Sequence, residues 1–355
     1  MRILQLNFEK GWRGGERQTL YCMRAFRAAG HQVELLCRAG GPLESRAGEE
    51  GFVAHGVRNV PAQLAFLARA GRGYDIIHAQ TANTITWAVL TKALHHRPVV
   101  FSRRTSFVVE PNEEWKTGAK WRRVDCFVAI SEMAAAEPRR LGLDPVIIRS
   151  AVEPHNVDRQ HVERMVGELG LQGKKVLATS AALIRDKDPL TLVRAVGELA
   201  RTRNDFIFVH FGAGGDREAE ARAEVQALRL QGVYLFAGFR KGIEDLYSIF
   251  DVFVMSSQEE ALGSSVLDAF LQHVPVVSTD AGGLKESLAD GRGVLCAVGD
   301  AHAMAQGMAR CLDDAAFRAD CTRRAYDYVR TEHDVTEMGR RYLAQFERLL
   351  AARAK

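Results

Sequence analysis

No apolar run in these 355 residues reaches the roughly 20 that a membrane-spanning helix needs, because charged side chains interrupt every candidate. The opening MRILQLNF enters an apolar run at once, without the basic head, long apolar stretch and small-residue cleavage site of a secretory leader. Cysteine is sparse and scattered: Cys22, Cys37, Cys126, Cys296, Cys311 and Cys321 form no C-x-x-C pair and no regular spacing. A disulfide framework and a zinc site are therefore not expected, and a reducing cytoplasm is the expected compartment, with peripheral contact at the inner face of the cytoplasmic membrane as its extension. Charge of either sign is not in great excess. The net value of +4 is too small to indicate a nucleic-acid partner, though it suits phosphate-bearing ligands or an anionic membrane. No short internal repeat and no low-complexity segment appears.

What is present is enough apolar content, 47%, for two cores rather than one. Short runs rich in β-branched residues alternate with stretches of helical period, the pattern of parallel βαβ construction in an α/β fold. Strands are predicted in the first half at Ile3 to Leu6, Val33 to Cys37, Asp75 to Ala79, Pro98 to Ser102 and Cys126 to Ile130. The clearest helix, Gln18 to Ala29, is closed by Gly30. A second series follows a polar helical stretch around Asp158 to Glu168, with strands at Lys175 to Ser180, Phe206 to Phe211, Tyr234 to Ala237, Val252 to Met255 and Val274 to Ser278. The expected division is residues 1–157 and 158–334. A final helix, 335–355, carries Met338, Tyr342, Phe346, Leu349 and Leu350 at helical spacing and is expected to pack back on the first domain.

The most informative stretch, MSSQEEALGSSVLDAFLQHVP from Met255 to Pro275, follows an apolar strand and sets Glu260 and Asp268 eight residues apart. That spacing is a little over two helical turns, which would aim both carboxylates into one cleft. Two acids so spaced also fit a helix-opening glutamate and a solvated aspartate. The flanking Ser-Ser, Leu-Gly and Ala281-Gly282-Gly283 favour a site, since a helix starting near Gly263 at a strand's carboxyl end offers amides and its positive pole to a pyrophosphate. The stretch resembles the E-x7-E signature of retaining glycosyltransferases of family 4, with the second acid shortened to Asp. That resemblance implies a GT-B fold, two Rossmann-like domains facing a central cleft. It further implies that Glu260 meets the donor sugar's hydroxyls, that Leu262, Gly263 and Ser264 hold phosphate through their backbone, and that Asp268 binds the ribose.

Directly after the first strand of the second half, LIRDKDP resembles the family's R-x-x-x-x-K segment, whose cations neutralise the departing diphosphate. Lys187 matches the lysine, while the arginine position falls on Ala182, leaving Arg185 or an arginine of the other domain to supply that contact. Asp186-Lys187-Asp188 also reads as a D-x-D metal motif. A helix cap explains Asp188-Pro189 without a metal, so neither a metal nor a cofactor is expected. Gly14-Gly15-Glu16, after the first strand, resembles the family's G-G-x-E loop, where glycine lets backbone approach the donor; an ordinary turn fits it as well. Gly212 and its neighbours suit a phosphate wall or a tight turn. The loop FAGFRKGIEDLY is placed for the nucleobase, with Phe239 and Arg240 to stack on it and backbone near Ile243 to read its edge, or simply for packing.

In the first half, FSRRTS stands where several relatives carry a histidine after the strand; here the position falls on Ser102 or Arg103. Arg103 and Arg104 suit a phosphate or an anionic acceptor, or a plain surface. His78 suits acceptor orientation or a structural role. Trp115, Lys116, Lys120, Trp121, Arg122 and Arg123 have the composition of an anionic membrane interface, and equally that of an amphipathic helix with its tryptophans turned inward. The function implied is retaining, metal-independent transfer of a hexose-type sugar from a UDP- or GDP-sugar to a lipid-linked or lipopolysaccharide glycan. The alternatives are a nucleotide-sugar 2-epimerase, a sugar phosphorylase of the same fold, and a non-catalytic nucleotide-binding module.

Overall fold

Runs such as RILQLN and KVLATS are too short for helices and apolar on both faces, which is what a strand buried between two helical layers requires. In the computed structural model, which describes residues 1–154 and 156–353, they become the first strands of two parallel sheets. The chain divides into two units, Met1–Val152 with Glu332–Lys355, and Glu153–Thr331.

The first unit has seven strands: β1 (Arg2–Asn7), β2 (Gln32–Arg38), β3 (Val53–Val57), β4 (Ile76–Ala79), β5 (Val99–Arg103), β6 (Cys126–Ala129) and β7 (Val146–Ile147). They lie in the order β3-β2-β1-β4-β5-β6-β7, all parallel. Two were not expected. VAHGV alternates weakly and carries a glycine, and Val146–Ile147 is only two residues long. The helix Gly14–Ala28 stops as anticipated: Gly30 takes φ +83°, its N–H reaches the Arg27 carbonyl at 2.9 Å, and His31 N–H reaches Phe26 O at 3.0 Å.

The last helix, Val335–Arg353, lies against Gly14–Ala28. Phe346 meets Phe26 edge-on at 5.3 Å, and a Cβ on Gly339 would stand 2.6 Å from that of Ala25. Buried Met338, Tyr342 and Phe346 each contribute on the order of 2 kcal/mol by leaving water, which is why the chain's end belongs to its first unit. Residues 354 and 355 of this predicted helix lie outside the described residues.

The second unit has six parallel strands: β8 (Lys175–Ser180), β9 (Phe206–Phe211), β10 (Tyr234–Gly238), β11 (Val252–Met255), β12 (Val276–Thr279) and β13 (Val294–Cys296). Their order is β10-β9-β8-β11-β12-β13. The three-residue β13, with Leu295 exposed, gave too little pattern to predict. In both sheets the first strand lies beside the fourth of its unit, so the loops leaving those two strands run in opposite directions. Such a reversal opens a crevice at the strands' carboxyl ends, where α/β sheets bind ligands. Among the described residues no helix is long and apolar enough to cross a membrane.

Candidate active site

The reversal in the second unit falls between β8 and β11, and the loops that leave them are LIRDKDP and SSQEEALG. After β8 the chain makes one 3₁₀ turn, Arg185–Lys187, and then enters the helix Pro189–Ala200 through Asp188, which has φ +42° and ψ +64°. An aspartate tolerates this left-handed conformation better than most residues. Asp188 caps the helix, accepting from Thr191 N–H at 3.2 Å and from Thr191 Oγ1 at 2.7 Å, with Pro189 in the first turn.

The β11 loop docks on that turn. The N–H of Gln258 donates to Asp186 O at 2.8 Å, Ser256 Oγ donates to Lys187 O at 2.8 Å, and Gln258 Nε2 reaches Asp188 Oδ2 at 3.1 Å. From the other side Thr279 Oγ1 donates to Ser257 O at 2.6 Å, Gly283 N–H to Glu260 O at 2.8 Å and Ser287 Oγ to Leu262 O at 3.2 Å. Held between these groups, the half-buried side chain of Glu260 accepts from Lys187 Nζ. Among the described residues the buried Ser257 Oγ has no hydrogen-bond partner.

Glu260 lies in the loop and not on a helix, since the helix is Ser264–Leu271 with Gly263 before it at φ +82°. The expectation that two helical turns separate Glu260 from Asp268 is corrected: only the half-buried Asp268 is helical. Among the described residues no side chain caps this helix, and the N–H groups of Val266 and Leu267 both turn back to Gly263 O, at 2.9 and 3.4 Å. Gly263 itself is tightly placed, a Cβ there coming within 2.5 Å of Leu284 Cδ2.

Around the β8 end, Gly212 (φ +127°) lies against Ala181, whose carbonyl oxygen would be 2.0 Å from a Cβ. Its glycine is thus required by packing, and it adjoins Ala182. Arg185 is exposed, and its guanidinium forms no ion pair among the described residues. Phe239 is 67% exposed beside Arg240, which donates to Ala237 O at 3.0 Å, and the short helix Ile243–Leu246 follows. Asp245 in that helix accepts from Asp158 N–H at 3.0 Å and lies 2.9 Å from His161 Nδ1, fixing the loop to the helix Arg159–Leu169. Sequence reasoning missed the bracing residues Ser256, Gln258, Thr279 and Ser287. Ser256 and Thr279 at strand ends, Gln258 in the loop and Ser287 in the helix Gly283–Leu288 offered no signal beyond their polar type.

In the first unit burial corrects the surface placement expected of Arg103 and favours one of the two open readings at His78. His78 is wholly buried, taking a bond from Gln5 Nε2 at 3.2 Å on one ring nitrogen and meeting Ser102 Oγ at 2.7 Å on the other; Ser102 Oγ meets Tyr342 Oη at 2.7 Å. Burial, with Arg104 adding, holds His78 well below its ordinary pKa, so it is a neutral link through Ser102 to the last helix, in keeping with the structural role. Arg103 is 1% exposed, donates to Phe107 O and stacks on Phe107 and Trp121, with its pKa pushed down to about 10 by burial. It is no surface anion site. Trp121 is buried at 2% exposure while Trp115 is 71% exposed, so the basic-aromatic segment divides: Trp115 and Lys116 face outward, and Trp121 packs on Phe127. Arg104 is half-buried, bound to Gln80 Oε1 at 2.6 Å and to Ser150 Oγ at 3.0 Å.

Beside β1, the loop Gly14-Gly15-Glu16 opens the helix Gly14–Ala28. Glu16 is buried, its carboxylate accepting from Arg13 N–H at 2.8 Å, and desolvation raises its pKa. A Cβ on Gly15 would meet nothing within 4 Å, so packing does not demand glycine there.

The model of glycosyl transferases group 1 matches residues 163–328, and that of glycosyltransferase family 4 matches residues 12–156. The 2-deoxystreptamine glucosyltransferase of Streptomyces kanamyceticus is 30% identical over 58% of this chain and 54% of its own length. The lipopolysaccharide core biosynthesis glycosyltransferase LpsE of Rhizobium meliloti is 27% identical over 43% of this chain and 44% of its own. The matched segments thus span about half the length of these relatives. A crystal structure of Anabaena Alr3699/HepE in complex with UDP and glucose superposes with a TM-score of 0.87 at 19% identity, covering 98% of this chain and 99% of that one. By its two matched halves and its two Rossmann-like sheets, the chain belongs to the GT-B glycosyltransferases of group 1 and family 4.

Proposed function

We propose that the second unit binds a nucleoside diphosphate sugar at the β8–β11 edge and that the protein transfers the sugar, with its anomeric configuration retained and without a metal, to a glycan acceptor. The observation that carries the proposal is the Lys187–Glu260 pair, held on two loops that are bonded to each other where the sheet reverses. Lys187 beside an uncapped helix start is a ready place for a diphosphate, and the exposed Arg185 stands near enough in sequence to replace the arginine absent at Ala182. An arriving diphosphate competes with Glu260 for Lys187. That exchange releases the carboxylate to accept hydrogen bonds from sugar hydroxyls. Phe239, Arg240 and the backbone at Ile243 then form the base end of the site, and Asp268 takes the ribose.

Charge grows on the diphosphate as the glycosidic bond breaks, so Lys187, Arg185 and the amides at Leu262, Gly263 and Ser264 would act mainly in the transition state. The acceptor's proton passes to a phosphate oxygen of the leaving group, which removes the need for a side-chain base. UDP or GDP is the expected nucleotide. The lipopolysaccharide relatives and the Anabaena complex with UDP and glucose support a hexose-type donor and a cell-envelope acceptor, with the exposed Trp115 and Lys116 as a membrane contact. A thermal-shift panel of nucleoside diphosphates and their sugars tests the proposal, because a ligand that binds only the folded chain raises its melting temperature. A shift with UDP or GDP and none with the adenine nucleotide is expected; no shift with any of them would overturn it.

A further inference from the structure

The two units differ sharply in charge. Met1–Val152 with Glu332–Lys355 holds 27 Lys and Arg against 18 Asp and Glu, whereas Glu153–Thr331 holds 21 against 26. Part of that excess collects at one place, the carboxyl edge of β1, β2 and β3. Cys37 pairs with Asn7 on one side and Gly56 on the other, and Arg38 pairs with Val57. Phe8, Arg38 and Arg58 therefore leave three neighbouring strands within a rung or so of each other, at strand spacings of about 5 Å.

The loop after β1 adds Lys10 and Arg13, both exposed, and the helix Pro42–Glu49 adds Arg46. Arg38 lies over the Phe8 ring at 4.5 Å and Arg46 over Trp12 at 4.1 Å. A guanidinium laid flat on a ring keeps its N–H edge available for a bidentate anion. Among the described residues none of Lys10, Arg13, Arg38, Arg46 and Arg58 pairs with a carboxylate, and Arg38 Nε is buried without any partner. The nearby acids only partly offset these five cations: Glu16 accepts from Arg13 N–H, Glu44 accepts from Gly40 N–H at 2.6 Å and lies against Gly56, and Glu9 is exposed. The positive end of the helix Gly14–Ala28 lies at the same edge.

We infer that this edge binds the second substrate and that the acceptor is an anionic glycan, a sugar chain carrying phosphate, sulfate or carboxylate groups. The inference rests on the donor being held by the other unit, since an acceptor then needs a separate surface. Arg38 and Arg58 grip one anionic substituent, and Lys10, Arg13 and Arg46 attract the rest of the chain.

A heparin-derived tetrasaccharide and its fully desulfated counterpart serve as probes by titration calorimetry with the full chain, beside UDP thermal shifts. The sulfated probe is expected to bind the wild type and to bind at least tenfold more weakly to K10E/R58E and to R38Q. The desulfated probe is expected not to bind, and the UDP shift to stay unchanged in every variant. Equal binding of both probes overturns the inference. So does sulfated-probe binding that survives in K10E/R58E and is lost in R122E/R123E. Capture of the wild type but not K10E/R58E by phosphatidylglycerol vesicles, with no binding of the sulfated probe, assigns the edge to a lipid surface instead and also overturns it. Absence of any UDP or GDP shift with the probe pattern intact removes the donor reading and leaves the anion surface standing.

Discussion

Gln258 Nε2 donates to Asp188 Oδ2 at 3.1 Å, so the residue that caps the helix after Lys187 also holds the loop that presents Glu260. Asp188 sits at φ +42°, a conformation that alanine adopts with strain. D188A loses the cap and the bridge to Gln258, and should cost about 1–3 kcal/mol. That lowers the melting transition of the second unit by several degrees and raises the KM for donor. D188N keeps the conformation and the capping oxygen and is expected to recover most of both. Equal melting temperatures for D188A and the wild type would remove the clasp from the account.

Two glycines separate packing from function. A Cβ on Gly212 would lie 2.0 Å from Ala181 O, a backbone atom, whereas one on Gly15 would meet nothing within 4 Å. G212A should therefore cost about 3 kcal/mol or more and express poorly. G15A should melt like the wild type yet transfer sugar at least tenfold more slowly, because the added methyl occupies ligand space. Full activity in G15A would show that the loop after β1 approaches no substrate.

Much of the fold was legible because apolar runs of four to six residues, separated by helical stretches, have few arrangements other than a parallel sheet. The strands that escaped were those with little pattern to read: β3 with Gly56 inside it, β7 with two residues, β13 with Leu295 exposed. At the site, Glu260 and Lys187 were visible through their motifs. Their environment was not, since Gln258, Ser256 and Thr279 matter through bonds to residues tens of positions away. Polar type alone misled at Arg103, where tertiary packing buries a side chain that one-dimensional reasoning leaves near the surface. The buried chain from His78 through Ser102 to Tyr342 joins three segments that no local spacing connects.

Buried histidines set the acid side of the stability profile. His210, bonded to Tyr234 Oη at 2.7 Å and to Ala181 O at 3.1 Å, has its pKa lowered by burial from 6.5 to about 4, and His78 is shifted in the same direction. Below 6.5 the unfolded chain takes up protons that the folded chain refuses, so stability is fully present above that pH and declines as pH falls towards 4. At pH 5 the His210 contribution is smaller by about 2 kcal/mol. Thermal unfolding at pH 8, 6.5 and 5 should show little change over the first interval and a clear fall over the second. H210Q should flatten that fall. A melting temperature constant from pH 8 to 5 would contradict the assignment of both rings as neutral.

Turnover of a UDP- or GDP-sugar by K187A and E260A tests the donor site most directly, read as nucleoside diphosphate released with and without added acceptor. Loss of a group that stabilises charge in the transition state costs on the order of 10²–10³ in rate. Both variants should therefore fall by at least 100-fold while melting within a few degrees of the wild type. Release at near wild-type rates by either folded variant would contradict the placement of the donor at the β8–β11 edge.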